Sequence, residues 1–352
     1  MYGERHLGVD PERQGKLTKV IAEHYLAEIY LVLNKPDSAL VYANKVINTP
    51  NYKLITERYG VKANEPGVPF ADMFIEQNTN REQGNTEALW TWQYELETIG
   101  GGANIMRRWH VNRYYSIKIG GVTPLEITVD RGGRPQGRMA LTKYAIDLYE
   151  PQDDRGSNFI LRRYFILKDE KQNDTGVADE LPAGYNYGDT IWTKADKPIT
   201  PDHRSSAVDD WPYSRKWDWA NPADVANSYQ YGDQVYLRLA ETYLLKAEAQ
   251  MKLNDLAGAA ETLNVIRRRS NASEISASDV DMDFILDERI RELMVEEQRR
   301  HTLVRTGKWL ERVQKYNHLG GQFATERDAL FPIPQIAIDA NLTAPMSQNP
   351  GY

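Results

Sequence analysis

Apolar positions recur three and four apart over two stretches of this chain, and the two stretches match each other. AEHYLAEIYLVLNKPDSALVYANKVI begins at Ala22, and AETYLLKAEAQMKLNDLAGAAETLNVI begins at Ala240. Ala22 aligns with Ala240, Glu23 with Glu241, Tyr25 with Tyr243 and Leu26 with Leu244; beyond the turn Ala39 aligns with Ala259 and Asn44 with Asn264. In the second copy Leu256, Ala259, Ala260, Leu263 and Ile266 keep helical spacing. Asn254 or Asp255 is placed to cap the helix that follows the turn. Each copy therefore predicts two amphipathic helices joined by a short turn.

Ala259 and Ala260 are small enough to let paired helices approach closely, a feature of tetratricopeptide-like hairpins of roughly 34 residues. Arg238, Glu241 and Glu248 read as charged faces of that scaffold rather than as catalysts. A third helical pattern runs from Phe284 to Val313, with Glu288, Glu292 and Glu296 four apart on one face. Carboxylates so spaced can hold a metal or act as an acid/base pair. Here Arg289, Arg299 and Arg305 interleave, which points to ion pairing between helices.

Between Asn51 and Gln234 the helical period gives way to loops, with short extended pieces such as EALWTWQYE. Glycines cluster at Gly100 to Gly102 and at Gly132 and Gly133, and only Met139 to Tyr149 re-enters a helical pattern. Long loops on a rigid scaffold are where function concentrates.

Composition narrows the field. The 352 residues carry a formal net charge of −7, which disfavours nucleic acid as a partner. Cysteine is absent, which excludes disulfides, thiolate metal sites and cysteine nucleophiles. No apolar run approaches the roughly 18 residues of a membrane span, and the first twenty residues show no apolar core of a secretory signal. With 21 Tyr and 8 Trp against 7 Phe, the aromatics are mostly polar-tipped and suit a wet binding face.

The loop TIGGGANIMRRWHVNRYYS collects such groups: Asn104, Arg107, Trp109, Tyr114 and Tyr115. Flat aromatic rings stack on the C–H face of a sugar while amide and guanidinium donors fix its hydroxyls. Trp192, and Trp211 with Tyr213 in WPYSRKWDW, are further candidates for ligand contact. Catalytic signatures are scarce. GGGANI lacks the P-loop lysine, no dinucleotide fingerprint or GxSxG elbow occurs, and the six histidines form no metal motif. No catalytic residue, metal or cofactor is assigned. Asp153 and Asp154 read as turn residues rather than a glycosidase pair.

Four segments in order, GRPQGRMALTKYAIDLYEPQDDR, YLRLAETYLLKAEAQMKLNDLAGAAETLNVIRRR, ILDERIRELMVEEQRRHTLVRTGKW and LFPIPQIAIDANLTAPMSQNPGY, resemble the SusD/RagB-like proteins, surface nutrient-binding lipoproteins of Bacteroidota. Asp153, Asp154 and Arg155 match an "Asp-x-Arg" ending, and PIP and QNPGY match the family C-terminus. Glu297 stands where the family usually has glycine, and Thr302 where aspartate is common. In the family comparison Lys216 and Trp217 fall on a short extended piece that marks Trp217 as a structural pin, with Trp219 two residues on along the same face.

The resemblance covers Gly15 to Tyr352 and implies a mainly α fold, a SusD-like superhelix of tetratricopeptide-like hairpins under an irregular loop-rich region. It implies one domain over 1–352 that lacks its N-terminal part: a hairpin at 16–50, a loop-rich ligand-binding region at 51–234, a helical scaffold at 235–316 and a tail at 317–352. The implied function is non-catalytic capture of an oligosaccharide, delivered to a SusC-like TonB-dependent transporter. The implied location is the extracellular face of the outer membrane, through a lipid anchor outside this chain. Binding of a peptide by the same architecture, or a protein-binding tetratricopeptide adaptor, are the alternatives; a glycosidase built on the acidic pairs is a third. Without preceding helices, the apolar face between Val20 and Leu31 is expected to lie uncapped and to leave the chain marginally stable or prone to associate.

Overall fold

The computed structural model describes residues 7–9, 14–194 and 209–352. The described residues up to Glu297 form one compact unit, and Gln298–Tyr352 form a second.

The first unit rests on the two hairpins. Helix α1 (Lys19–Val32) starts at Thr18, whose hydroxyl accepts from the Ile21 amide, and α2 (Pro36–Ile47) starts on a proline in its first turn. Pro is favoured there because its missing N–H has no helical partner anyway. Beyond the short α3 (Pro69–Asp72), α4 (Met106–His110) and α5 (Lys143–Asp147), the second hairpin is α6 (Leu239–Lys252) and α7 (Leu256–Arg269). Asp255 caps α7 through the Gly258 amide at 2.9 Å, while its neighbour Asn254 makes the turn with φ 63°. Asn34, at the matching turn of the first hairpin, has φ 53°; asparagine tolerates this left-handed conformation better than most residues.

Small side chains decide how closely the hairpins meet. Ala27, Ala39, Ala43, Leu245 and Ala249 are buried together where α1, α2 and α6 converge. Ala259, Ala260, Leu263 and Ile266 of α7 share a second core with Leu244 and Ala247 of α6 and with Ile285 of α8 (Met282–Leu293). His24 Nδ1 lies 2.8 Å from the Thr242 hydroxyl, so equivalent positions of the two repeats hydrogen-bond across the hairpin interface. On the outer side Ile29, Val32, Leu33 and Val41 stay exposed.

The third helical block departs from expectation. It breaks into α8, then α9 (Arg299–Arg305) and α10 (Trp309–Tyr316) of the second unit. Val295 takes φ 62°, which no continuous helix accommodates. The cause is tertiary: Lys216 Nζ and Arg238 Nη2 donate to the Glu292 carbonyl at 2.8 and 2.9 Å, and Trp217 Nε1 donates to the Val295 carbonyl at 3.2 Å. Basic groups at a helix C-terminus satisfy the free carbonyls and the dipole. Trp217 is thus a buried pin, on a 3₁₀ turn (Arg215–Trp217) rather than the extended piece expected. The predicted Met139–Tyr149 helix is shorter too: α5 begins only after Thr142, whose hydroxyl caps the Ala145 amide.

The loop-rich layer holds three two-stranded antiparallel ribbons: β1 (Ala88–Trp92) with β6 (Gln234–Arg238), β2 (Leu161–Arg162) with β5 (Tyr213–Ser214), and β3 (Tyr164–Ile166) with β4 (Thr190–Trp192). A buried charge cluster ties this layer to the helices. Glu292 receives Arg238, Arg269 and Arg155; Glu288 receives Arg155 and Arg267; Glu296 receives Lys216 and Arg238. Glu87, from just before β1, pairs with Arg238 and Arg269 at 2.6 and 2.8 Å, and Asp153 pairs with Arg155 at 2.8 Å.

In the second unit the Arg300 guanidinium lies over the rings of Trp309 and Phe331, at 4.9 and 4.3 Å. After α11 (Gln335–Asp339) the tail folds back on itself. Gln348 accepts from the Ile333 amide at 2.7 Å and donates to the Ile333 carbonyl at 2.8 Å, while Asn349 donates to the Phe331 carbonyl. The PIP and QNPGY motifs thus hold each other.

Candidate functional site

The chain around α4 folds against the β3–β4 ribbon through a shared core. Strand alternation points Phe165 and Ile191 inward, where they meet Val111, Tyr114, Ile117 and Tyr213. The paired positions one residue away, Tyr164 and Trp192, therefore face out. Their rings meet at 4.9 Å with a 54° tilt. Trp192 is 61% exposed, an uncommon state for a tryptophan, on a strand rather than a loop tip. Next to it Thr193 donates both its amide and its hydroxyl to the Arg163 carbonyl, at 2.8 and 2.7 Å, and the Lys194 amide donates to Asp210. The aromatic pair is thus held on a fixed backbone.

Trp109 and Tyr115 are each half-buried. The Trp109 carbonyl accepts from the amides of Arg138 and Met139 at 2.8 and 2.9 Å, and the Tyr115 hydroxyl donates to Pro135 at 2.8 Å.

The other sequence-derived candidates are structural. Asn104 pairs its backbone with Gln230 and accepts the Met106 amide at 2.6 Å, which starts α4. Arg107 is buried and donates to the carbonyls of Gly132 and Asn227, fastening two loops; burial pushes its pKa down to about 10. Tyr114 is buried, with its hydroxyl on the Gly133 carbonyl at 2.7 Å. Trp211 is buried and donates to the Leu141 carbonyl at 2.8 Å, and Tyr213 is buried with its hydroxyl on Arg131. Each of these five has its ring or polar group committed to the protein, which corrects their assignment to ligand contact.

Sequence reasoning passed over a further aromatic surface. Trp92 of β1, 38% exposed, stacks on Tyr236 of β6 at 4.2 Å and 14°, and Trp90 meets the same ring edge-on. Beside it an open groove of about 590 Å³ is lined by Gln93, Tyr94 and Lys16. The signal was present in the alternation of ALWTW, which puts alternate tryptophans on one face of a strand.

A separate cavity of about 450 Å³ lies between the Arg58–Gln77 segment and the chain around Asp130, Arg215 and Trp219. Among the described residues, no three His, Cys, Asp or Glu side chains are placed to hold a metal ion. No described helix is long and apolar enough to cross a membrane.

The profile of the SusD family matches residues 66–352. No curated protein matches the chain. Among solved structures, a SusD homolog from Bacteroides thetaiotaomicron VPI-5482 superposes with a TM-score of 0.66 at 19% identity, over 100% of this chain and 68% of its own. Surface glycan-binding protein A from Bacteroides uniformis gives 0.61 at 17%, over 97% and 62%. Surface glycan-binding protein A from Bacteroides thetaiotaomicron in complex with laminarihexaose gives 0.59 at 18%, over 98% and 67%. The chain thus spans about two thirds of the length of these proteins.

Proposed function

The chain belongs to the SusD family, and we propose that it captures an oligosaccharide at a cell surface without turning it over. The observation that carries this reading is the Trp192–Tyr164 pair: apolar ring area displayed to solvent on a strand braced from behind. A sugar ring offers an apolar C–H face of matching size, so stacking gains hydrophobic burial with little side-chain entropy lost. A structure of the same fold, solved with laminarihexaose, lends the ligand class support.

The acidic residues support binding rather than hydrolysis. Glu288, Glu292, Glu296 and Asp153 all carry arginine or lysine partners in the buried cluster. A glycosidase needs two carboxylates flanking a bond in an accessible cleft. By family, the captured glycan passes to a SusC-like TonB-dependent transporter, with the protein held on the extracellular face of the outer membrane by a lipid anchor.

Calorimetry with laminarihexaose, followed by glycan and peptide arrays, tests the reading. Trp192→Ala is expected to weaken glycan binding roughly tenfold, about 1.4 kcal/mol, with no change in melting temperature. Unchanged affinity would remove Trp192 from the site. Binding confined to peptides, or any hydrolysis of the glycan, would refute the function.

A further inference from the structure

The 450 Å³ cavity is walled on one side by a segment that Arg58 closes into a rigid loop. Its guanidinium donates to Asp72 Oδ2 at 2.7 Å and to the carbonyls of Glu65 and Lys62 at 2.7 and 2.6 Å. The Tyr59 amide also binds Asp72 Oδ2. Asp72 lines the cavity and is fully buried, yet its other oxygen, Oδ1, has no hydrogen-bond partner. An unmatched buried carboxylate oxygen is costly, because it has given up water without gaining a donor.

Glu76, four residues further along and past the end of α3, lines the same cavity. It makes no hydrogen bond or ion pair with another described residue. Gly232 makes room for it: a Cβ there would fall 2.1 Å from Glu76 Oε2 and 3.3 Å from the Trp219 ring. Burial and the nearby Asp233 raise the Glu76 pKa to about 7.

The opposite wall is already neutralised. Asp130 lies 3.5 Å from Arg215 and from Lys168, and Asp218 is 2.7 Å from Arg215. The unmet demand is therefore local to Asp72 and Glu76, and it is for hydrogen-bond donors or positive charge. The rings of Phe74, Phe159 and Trp219 supply apolar lining. Cavities of 300–1,000 Å³ with apolar walls and a few convergent polar groups are typical of small-molecule sites.

We propose that this cavity is a second binding site, separate from the Trp192 surface, and that it takes an amine-bearing sugar unit. The ammonium or its neighbouring hydroxyls meet Glu76, with the buried Asp72 carboxylate behind it adding to the negative field, and the sugar's C–H face meets the aromatic lining. A bare divalent ion does not fit, because no three ligating side chains converge among the described residues. The choice of a sugar over another amine rests on the glycan-binding reading above.

Titration of the full chain with D-glucosamine, D-glucose and L-lysine amide tests this. D-Glucosamine is expected to bind at least tenfold tighter than D-glucose. Glu76→Gln, nearly isosteric, is expected to abolish that preference while leaving the melting temperature and laminarihexaose binding intact. Equal binding of the two sugars, or a preference that survives Glu76→Gln, overturns the site. Tighter binding of L-lysine amide than of glucosamine overturns the sugar assignment. Trp192→Ala separates the two proposals: it strikes the outer surface alone, so glucosamine binding in that variant is expected to equal wild type.

Discussion

Glu292 is a carboxylate without water, and Arg238, Arg269 and Arg155 supply what water would. Those guanidinium groups hold its pKa far below the usual carboxylate range against the opposing effect of burial. Removing one member of such a cluster leaves the rest buried and unmatched, so Glu292→Gln is expected to destabilise the fold by roughly 3–5 kcal/mol. Urea denaturation measures this; a loss below 1 kcal/mol would mean the cluster is poorly coupled. His24 gives a pH signature. Burial lowers its pKa to about 4 from 6.5, opposed by Glu241 and reinforced by Arg289. As pH falls below 6.5 the unfolded chain takes the proton first, so His24 withdraws stability between pH 6.5 and 4 and contributes no pH dependence above that window. The stability difference between wild type and His24→Gln, measured across pH 4–7.5, is expected to change only inside it. Burial also explains why residue types alone misdirected part of the site. Trp211, Tyr213 and Tyr114 have the chemistry of ligand contacts, but core position is a property of the whole fold.

At the scale of elements, caps and turns carry the hairpins. Asp255→Ala is expected to cost about 1 kcal/mol by freeing the Gly258 amide. Asn254→Val is expected to cost more than Asn254→Gly, because a β-branched residue resists φ 63°; thermal melts of the pair check the order. The hairpins were legible because their periodicity, turn asparagines and small residues all point to one answer. The break after Leu293 was not. Its cause is Lys216, Trp217 and Arg238 reaching the Glu292 and Val295 carbonyls from far along the chain. Likewise the outward face of Trp192 follows from ribbon register, and that register is set by which partner strand is present.

For the molecule as a whole, Ile29, Val32, Leu33 and Val41 leave apolar surface on the first hairpin. Size-exclusion chromatography with light scattering is expected to show mass rising with concentration, and Val32→Lys with Val41→Lys to suppress the rise; a monomer at all concentrations would contradict this. Inside the first unit, the backbone comes back to one charged cluster at Glu87, at Asp153 and Arg155, and at Lys216. The two excursions between those points behave as petals pinned to a common stem. Each is closed at both ends by contacts it does not itself supply, which spares it most of the entropy of closing a long loop. A petal can therefore exchange its outer aromatic residues without any refitting of the stem.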